Sequence, residues 1–453
     1  MARISALDAA WEDLFDRLGL LARIREEGVV RLTAEELGGT PAAALDLLGS
    51  LWQNADDPCR AAVLAALEQQ SDVSLAALHR AAAAGFAGAT VEDTAALQAL
   101  LGPKLRVSPT KFERYSDCPF GYFLQYILKA SPRQKAELAP NISGTLTHWV
   151  LEQALSRQGG AFTALSDEDL KALVDSLVKE YADASLPGQS QRMEYLLQRI
   201  SRNLVSLLAF IRRDFQQSGF RPAAYELRID DDGVPPVELP DGLGHTVRIV
   251  GTVDRVDTMT LQNKTYLRVV DYKTGTKKFD LREVYCGKDC QMLLYLFTLE
   301  RNGGALFENP AAAGVEYLWA DPAQETDRRP EEGQAAPQDY PLEGLLLDEE
   351  SVYRAMDTKG TGAYVPLTFK NGKLHFTAKK RLADPAKLGR IRDHLDGLLV
   401  AMAQNLYTGQ VQAQPLCSGN RRPCQYCDYR AVCGHRDGEN ERCIELSEDP
   451  FEE

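Results

Sequence analysis

The stretch VVDYKTG, residues 269–275, decides how this chain is read. Two β-branched residues, an acid, an aromatic and a lysine run into the turn-forming pair Thr274-Gly275. The pattern predicts a buried strand that stops at its polar end. Side chains along a strand alternate between faces, so Asp271 and Lys273 share one face and Tyr272 takes the other. A buried strand has no packing need for a carboxylate and an ammonium on one side of its end. Asp-x-Lys is also common at ordinary strand ends, so the surroundings must decide.

Upstream, RIVGTVDRVD (248–257) alternates as a strand and delivers Asp254. The loop 258–264 reverses the chain, and a hairpin of this length brings Asp254 beside Asp271. Two carboxylates held together in a partly buried place repel each other and need a cation. Hard oxygen donors beside a lysine suit Mg²⁺ or Mn²⁺. Such an ion lowers the pKa of a bound water and offsets charge on a phosphate. Lys273 can then position the water or stabilise the developing anion. GTLTHWVLEQAL places His148 and Glu152 four apart on one helix face, and RPAAYELRI places Glu226 on the first strand. CGKDCQMLLYLFTLE places Gln291 and Tyr295 four apart on the helix after the hairpin. Taken singly, each also reads as a packed histidine, a strand-end acid or a solvated helix face.

The chain has 453 residues, room for two to four domains, and 44% apolar residues, enough for substantial cores. Its net charge of −14 argues against a generally basic nucleic-acid coat but leaves room for a local basic groove. No stretch reads as a signal peptide. No run of about 18 apolar residues predicts a membrane span. Residues 1–103 are rich in Ala and Leu at helical spacing. Ser108 and Pro109 form a helix start, as N-cap and first helical position. Amphipathic helices are expected near 143–157, 167–184 and 190–217. Strand periodicity follows in AAYELRID, HTVRIVGTVDRVDTM and KTYLRVVDYKTG, then a helix over 280–301 and a strand in GVEYLWAD. A polar, Pro-rich loop covers 321–342, short strands 365–369 and 373–377, and a helix 385–408. Residues 438–453 read as an acidic tail, whose last stretch, ELSEDPFEE, is expected to be disordered. Arg192, Arg199, Arg202, Arg212 and Arg213, with Arg421, Arg422, Arg430, His435 and Arg436, are solvated faces or the walls of a phosphate-tracking groove. The aromatics of ERYSDCPFGYF could stack bases beside such a groove.

Of nine cysteines, Cys417, Cys424, Cys427, Cys433 and Cys443 fall within residues 417–443. Without a signal peptide, metal binding is favoured over disulfides. Cys424, Cys427 and Cys433 form C-x₂-C-x₅-C, and Cys118 stands far upstream. Thiolates select zinc or iron–sulfur, and the spacing does not choose between them.

Together, SPTKFERYSDCPFGYFLQYILK, GTLTHWVLE, RPAAYELRI, GTVDRVD, LRVVDYKTGTKKFDLREVYCGKDCQMLLYL and CQYCDYRAVC resemble the RecB-type branch of the PD-(D/E)XK nuclease superfamily. Within it they are most similar to the C-terminal nuclease domain of the B subunit of AddAB-type helicase–nucleases, over residues 104–437. The resemblance implies an α/β, restriction-endonuclease-like core: a central mixed sheet flanked by helices. It implies metal ligation by His148, Asp254, Asp271 and the Tyr272 carbonyl, with Glu226 joining directly or through water. Lys273 is then the catalytic lysine, and Gln291 and Tyr295 contact DNA. Cys118 joins Cys424, Cys427 and Cys433 around a [4Fe–4S] cluster that staples the domain.

The resemblance further implies a Mg²⁺- or Mn²⁺-dependent exonuclease acting in double-strand break repair and recombination. Its substrate would be a DNA strand threaded from a duplex end, on the 5′-ended strand. Its partner would be an AddA-type helicase–nuclease subunit, its compartment the bacterial cytoplasm, with no membrane. Proteins of this type carry a large helicase-like region ahead of the domain, whereas here residues 1–103 precede it, as the end of such a part or a helical cap. No G-x-x-x-x-G-K-[ST] phosphate loop occurs, so this chain alone is not expected to bind ATP that way or to unwind DNA. Two other readings stand beside this one. The first is a stand-alone RecB-like nuclease with another DNA-processing role. The second is a non-catalytic iron–sulfur DNA-binding scaffold.

Overall fold

The computed structural model describes residues 90–131, 141–186, 191–273, 278–319, 343–360, 365, 367–370, 373–376, 381–418 and 422–452. The helices expected within 1–89 and the loop expected over 321–342 lie outside the described residues. Residues 430–436, which carry a short helix, Arg430–Cys433, stand apart from the main unit.

The main unit opens with α1 (Thr94–Leu101), β1 (Lys104–Val107) and α2 (Pro109–Asp117). Ser108 caps α2 through a hydrogen bond from the Lys111 amide, with Pro109 at the first position, as the sequence predicts. Three long helices follow: α3 (Asn141–Gln158), α4 (Asp167–Ser185) and α5 (Gln191–Gln217). A reciprocal capping box between Ser166 and Asp169 starts α4. Leu151, Ala154, Val174, Leu177, Leu204, Leu207 and Leu208 turn inward from these helices into one apolar core.

The strands are β2 (Arg221–Ile229), β3 (Glu238–Pro240), β4 (Thr246–Ile249), β5 (Gly251–Leu261) and β6 (Lys264–Lys273). After β6 come α6 (Gln291–Asn302), β7 (Pro310–Trp319), β8 (Glu343–Leu347), β9 (Leu367–Lys370), β10 (Lys373–Phe376) and β11 (Leu382–Ala383). The chain closes with α7 (Pro385–Tyr407), β12 (Leu416–Cys417) and β13 (Arg442–Cys443). Six strands form a mixed sheet in the order β11-β8-β7-β6-β5-β2. β6 runs antiparallel to β5 and parallel to β7, with α6 in the crossover. A parallel pair needs such a connection, and central strands covered on both sides become apolar throughout. Accordingly Thr265–Tyr272 of β6 is buried residue by residue. Helices α3–α5 pack on one face, where Val270, Tyr272 and Leu318 join their core. α6, buried all round from Met292 to Leu299, covers the other face, backed by α7.

Several elements differ from the sequence expectation. The loop expected over 258–264 is a two-residue turn, Gln262-Asn263, because β5 and β6 stay paired up to Leu261↔Lys264. The single strand expected through HTVRIVGTVDRVDTM is broken at Val250. β4 leaves the main sheet to pair with β1 and β3, held by Val250 N–H to Val107 O, while β5 enters the six-stranded sheet. The helix expected over 280–301 splits into Leu281–Tyr285 and α6, because Gly287 (φ 74°) and Asp289 (φ 53°) adopt left-handed backbone. A Cβ at Gly287 would overlap the Ser116 hydroxyl, which fixes glycine there.

The acidic end of the chain is also not loose. Phe451 is 5% exposed and packs on Tyr285 and His394, with ring centroids 5.5 Å apart in both pairs. Lys387 pairs with Asp449, and Arg390 donates to the Phe451 carbonyl. The aromatic residue inside the acidic run supplies the apolar anchor that a disordered tail lacks. Among the described residues, no helix is long and apolar enough to cross a membrane.

Candidate active site

β5 and β6 build the site from opposite directions. Their ladder reaches Arg255↔Val270, so Asp254 and Asp271 are the next residues on either strand. The period of two then sorts the side chains. Tyr272 points into the α3–α5 side, where its hydroxyl accepts a 2.8 Å hydrogen bond from buried Arg255. Asp271 points to the α6 side and meets Lys273 and Gln291. Lys273 Nζ lies 3.1 Å from Oδ1 and 2.9 Å from Oδ2, and Gln291 Nε2 donates to Oδ1 at 3.0 Å. The shared face expected for Asp271 and Lys273 is thus present.

Asp254 Oδ2 accepts from the Tyr272 amide at 3.1 Å and lies 3.2 Å from His148 Nδ1. His148 Nε2 faces the Tyr272 carbonyl oxygen at 2.9 Å. α3 therefore delivers its histidine to the backbone of the strand that carries Asp271. Donor atoms of His148, Glu226 and Asp254 lie within 4.8 Å of one another. Glu226 reaches them through a left-handed backbone (φ 43°) inside β2, between the paired residues Tyr225 and Leu227. Such conformations strain a non-glycine residue and concentrate at functional sites.

The electrostatics describe a crowded acidic corner. Burial, then the charge of Asp254, pushes Asp271 up to about 6 against the pull of Lys273 and His148. Burial, then Asp254 and Glu152, raises Glu226. Burial alone would lower His148, but its hydrogen bond to Asp254 and the nearby charges raise it. Lys273 is held above its usual range because Asp271 outweighs the burial that would lower it. Glu152, on the same α3 face as His148, therefore contributes to this corner. Its spacing from His148 was the available signal, and only the fold ties its charge to Glu226.

The donor set fits a small divalent cation. Asp271 Oδ2 is buried, within ion-pair reach of Lys273, yet takes no hydrogen bond. The 2.9 Å separation of His148 Nε2 and the Tyr272 oxygen matches adjacent corners of an octahedron, which are about 3 Å apart for bonds of about 2.1 Å. Oxygen donors dominate, as hard ions require.

Other expected residues fall differently. Tyr295 is 5% exposed; its hydroxyl lies against Gly251 and takes the Thr252 amide rather than facing solvent. Of the aromatics in ERYSDCPFGYF, Tyr115 and Tyr122 are buried in the core and cannot stack bases, whereas Phe120 and Phe123 are half-buried. Arg212 is committed to Asp167 and the Leu165 carbonyl. Arg421 lies outside the described residues.

Of the cysteines expected to hold a cluster, Cys118 ends α2, its amide bonded to the Arg114 carbonyl at 3.2 Å. The Arg114 guanidinium lies 3.5 Å from Cys427 Sγ, joining that segment to the turn Pro423–Tyr426, which also carries Cys424. A cavity of about 540 Å³ opens between Arg114, Asp117 and Gln125 on one side and residues 422–428 on the other. Cys433 belongs to the separate segment 430–436.

Residues 106–434 match the family model described as the PD-(D/E)XK nuclease superfamily. The chain is 30% identical over 361 residues to the B subunit of the ATP-dependent helicase/deoxyribonuclease of Clostridium novyi, covering 74% of this chain and 31% of that protein. It is 29% identical over 361 residues to the protein of the same name from Clostridium tetani, covering 76% and 31%. For the corresponding Clostridium acetobutylicum protein the identity is 28% over 369 residues, covering 77% and 32%. The matched stretch spans about a third of the length of these curated relatives.

Proposed function

Because the chain belongs to the PD-(D/E)XK nuclease superfamily, we propose that it is a metal-dependent deoxyribonuclease whose reaction centre lies at the end of β6. The convergence of His148, Glu226, Asp254, Asp271 and Lys273 carries this reading. His148, Asp254, Asp271 and the Tyr272 carbonyl would hold Mg²⁺ or Mn²⁺, with Glu226 directly or through water, and the bound ion would supply an activated water and offset charge on the scissile phosphate. Lys273, kept protonated by Asp271, offers a fixed positive charge and a proton to the oxygens that gain charge. Gln291 orients the Asp271 carboxylate and presents its amide toward a DNA backbone. Tyr295 acts through the backbone of Gly251 and Thr252, holding the start of β5 in place.

The wider reading rests on the names of the relatives. We infer that the chain supplies the nuclease portion of an AddAB-type helicase–nuclease, with an AddA-type protein as partner, in double-strand break repair and recombination. There it would act as an exonuclease on the 5′-ended strand, in a bacterial cytoplasm. Cys118, Cys424, Cys427 and Cys433 would carry a [4Fe–4S] cluster closing residues 118–433 into one loop, a structural role.

The test uses anaerobically purified chain, Mg²⁺ and end-labelled single-stranded DNA, beside Asp271→Ala and Lys273→Ala. Wild type should degrade the DNA, and both variants should lose activity by about a hundredfold or more while still binding DNA. Equal cleavage by all three would expose a contaminant and end the assignment. No cleavage by any, even with the helicase partner added, would leave a binding scaffold. Iron and labile sulfide in equal amounts, both lost in Cys427→Ser, support the cluster over zinc.

A further inference from the structure

Cys417 and Cys443 stand outside the cluster set, and the fold places them together. β12 and β13 are parallel, with Cys417 paired directly to Cys443, so both thiols leave the ribbon on the same side. Glu441, two residues before Cys443, turns its carboxylate toward both: Cys443 Sγ is 3.9 Å from Glu441 Oε2, and all three donor atoms lie within 4.8 Å of one another. The ribbon itself is fixed. The Arg442 amide donates to the Pro415 carbonyl at 2.9 Å, and the Ile444 amide reaches the Cys417 carbonyl at 3.4 Å. The Arg442 side chain bonds the carbonyls of Gln414 and Ser116.

From this geometry we propose that Cys417, Glu441 and Cys443 form a second metal site, taking a thiophilic divalent cation, zinc by its donors, with water as the fourth ligand. Two sulfurs and a carboxylate around a common point are a tetrahedral zinc set with one open corner. Zn–S bonds of about 2.3 Å and Zn–O bonds of about 2.1 Å place sulfur and oxygen about 3.6 Å apart. The observed 3.9 Å needs only a few tenths of an ångström of closure. Thiolates disfavour Mg²⁺ and Ca²⁺, which take oxygen. A disulfide would need the sulfurs at about 2.05 Å and leave the adjacent carboxylate without a role. Cys417 is buried and Cys443 exposed, so the ion would sit at the rim and exchange with solvent. On binding, two thiol protons leave to solvent and two metal–sulfur bonds form. The site would tie the C-terminal strand to the segment before the cluster cysteines.

The test loads the full iron-replete chain with zinc under reducing conditions, removes free metal, and counts zinc and iron per chain. Wild type should hold one more zinc than Cys417→Ser/Cys443→Ser, with iron unchanged. Glu441→Gln should bind that zinc more weakly. Because a buried substitution can disturb folding, Cys443→Ser alone, at an exposed side chain, is compared after cobalt loading. It should lose part of the thiolate-to-cobalt charge-transfer absorption. Equal zinc and equal cobalt spectra in all variants would overturn the site, as would a Cys417–Cys443 disulfide in the reduced, zinc-loaded sample. None of these readouts is DNA cleavage, so the outcome is independent of the nuclease assignment.

Discussion

At Asp271, burial and the Asp254 charge act in the same direction, and the carboxyl titrates near 6 instead of its ordinary 3.8. Between those values the metal-free fold keeps a proton that the unfolded chain has released. A raised folded-state value means that this contribution to stability is complete below about pH 4 and is lost as pH rises through about 6. Asp271→Asn should therefore stabilise chelator-treated protein at pH 8 by on the order of 1–3 kcal/mol, with the gain vanishing toward pH 4. Urea denaturation at the two pH values checks this; equal or lower stability of the variant at pH 8 would refute it. The same substitution should abolish cleavage. Asp254, Asp271 and Lys273 were legible because alternation along a strand fixes which side chains share a face. Glu226 was legible as a position but not as a geometry, since nothing in YELRI announces a left-handed residue inside a strand.

At the scale of elements, the meeting of β5 and α6 depends on a missing atom. A Cβ at Gly251 would overlap the Tyr295 hydroxyl. Gly251→Ala should cost about 1–3 kcal/mol and slow cleavage, because Asp254 lies only a short way along the same strand. Adding Tyr295→Phe, which removes the obstructing oxygen, should recover part of both. Denaturant midpoints and cleavage rates of the two singles and the double form the test; a neutral Gly251→Ala would contradict the packing. α3–α5 and α7 emerged from the sequence within a residue or two of their ends, because amphipathic spacing and caps are local signals. The break at Val250 was not, since residues on both sides of it alternate as strands do and only pairing with β1 separates them.

At the scale of the whole molecule, the last residues act as a clasp on α7. Phe451→Ala should lower stability by about 3–5 kcal/mol, read by thermal denaturation; an unchanged melting temperature would mean that the end is loose after all. Also hidden from sequence was the layer beneath the reaction face. Arg255 and Arg268, buried, meet Asp257, Asp214 and Glu316, with Arg268 Nη2 2.7 Å from Asp257 and Arg255 Nε 2.8 Å from it. These residues come from one helix and three strands, and only the fold brings them together. If β6 slid one residue along β5, Arg268 would be swung away from its acids and Asp271 thrust among the leucines of α3–α5. Stranding a buried arginine in this way costs several kcal/mol. The acids above the sheet thus inherit their spacing from an ionic lock below it, and a misaligned hairpin is penalised before it can bring Asp271 to the wrong face.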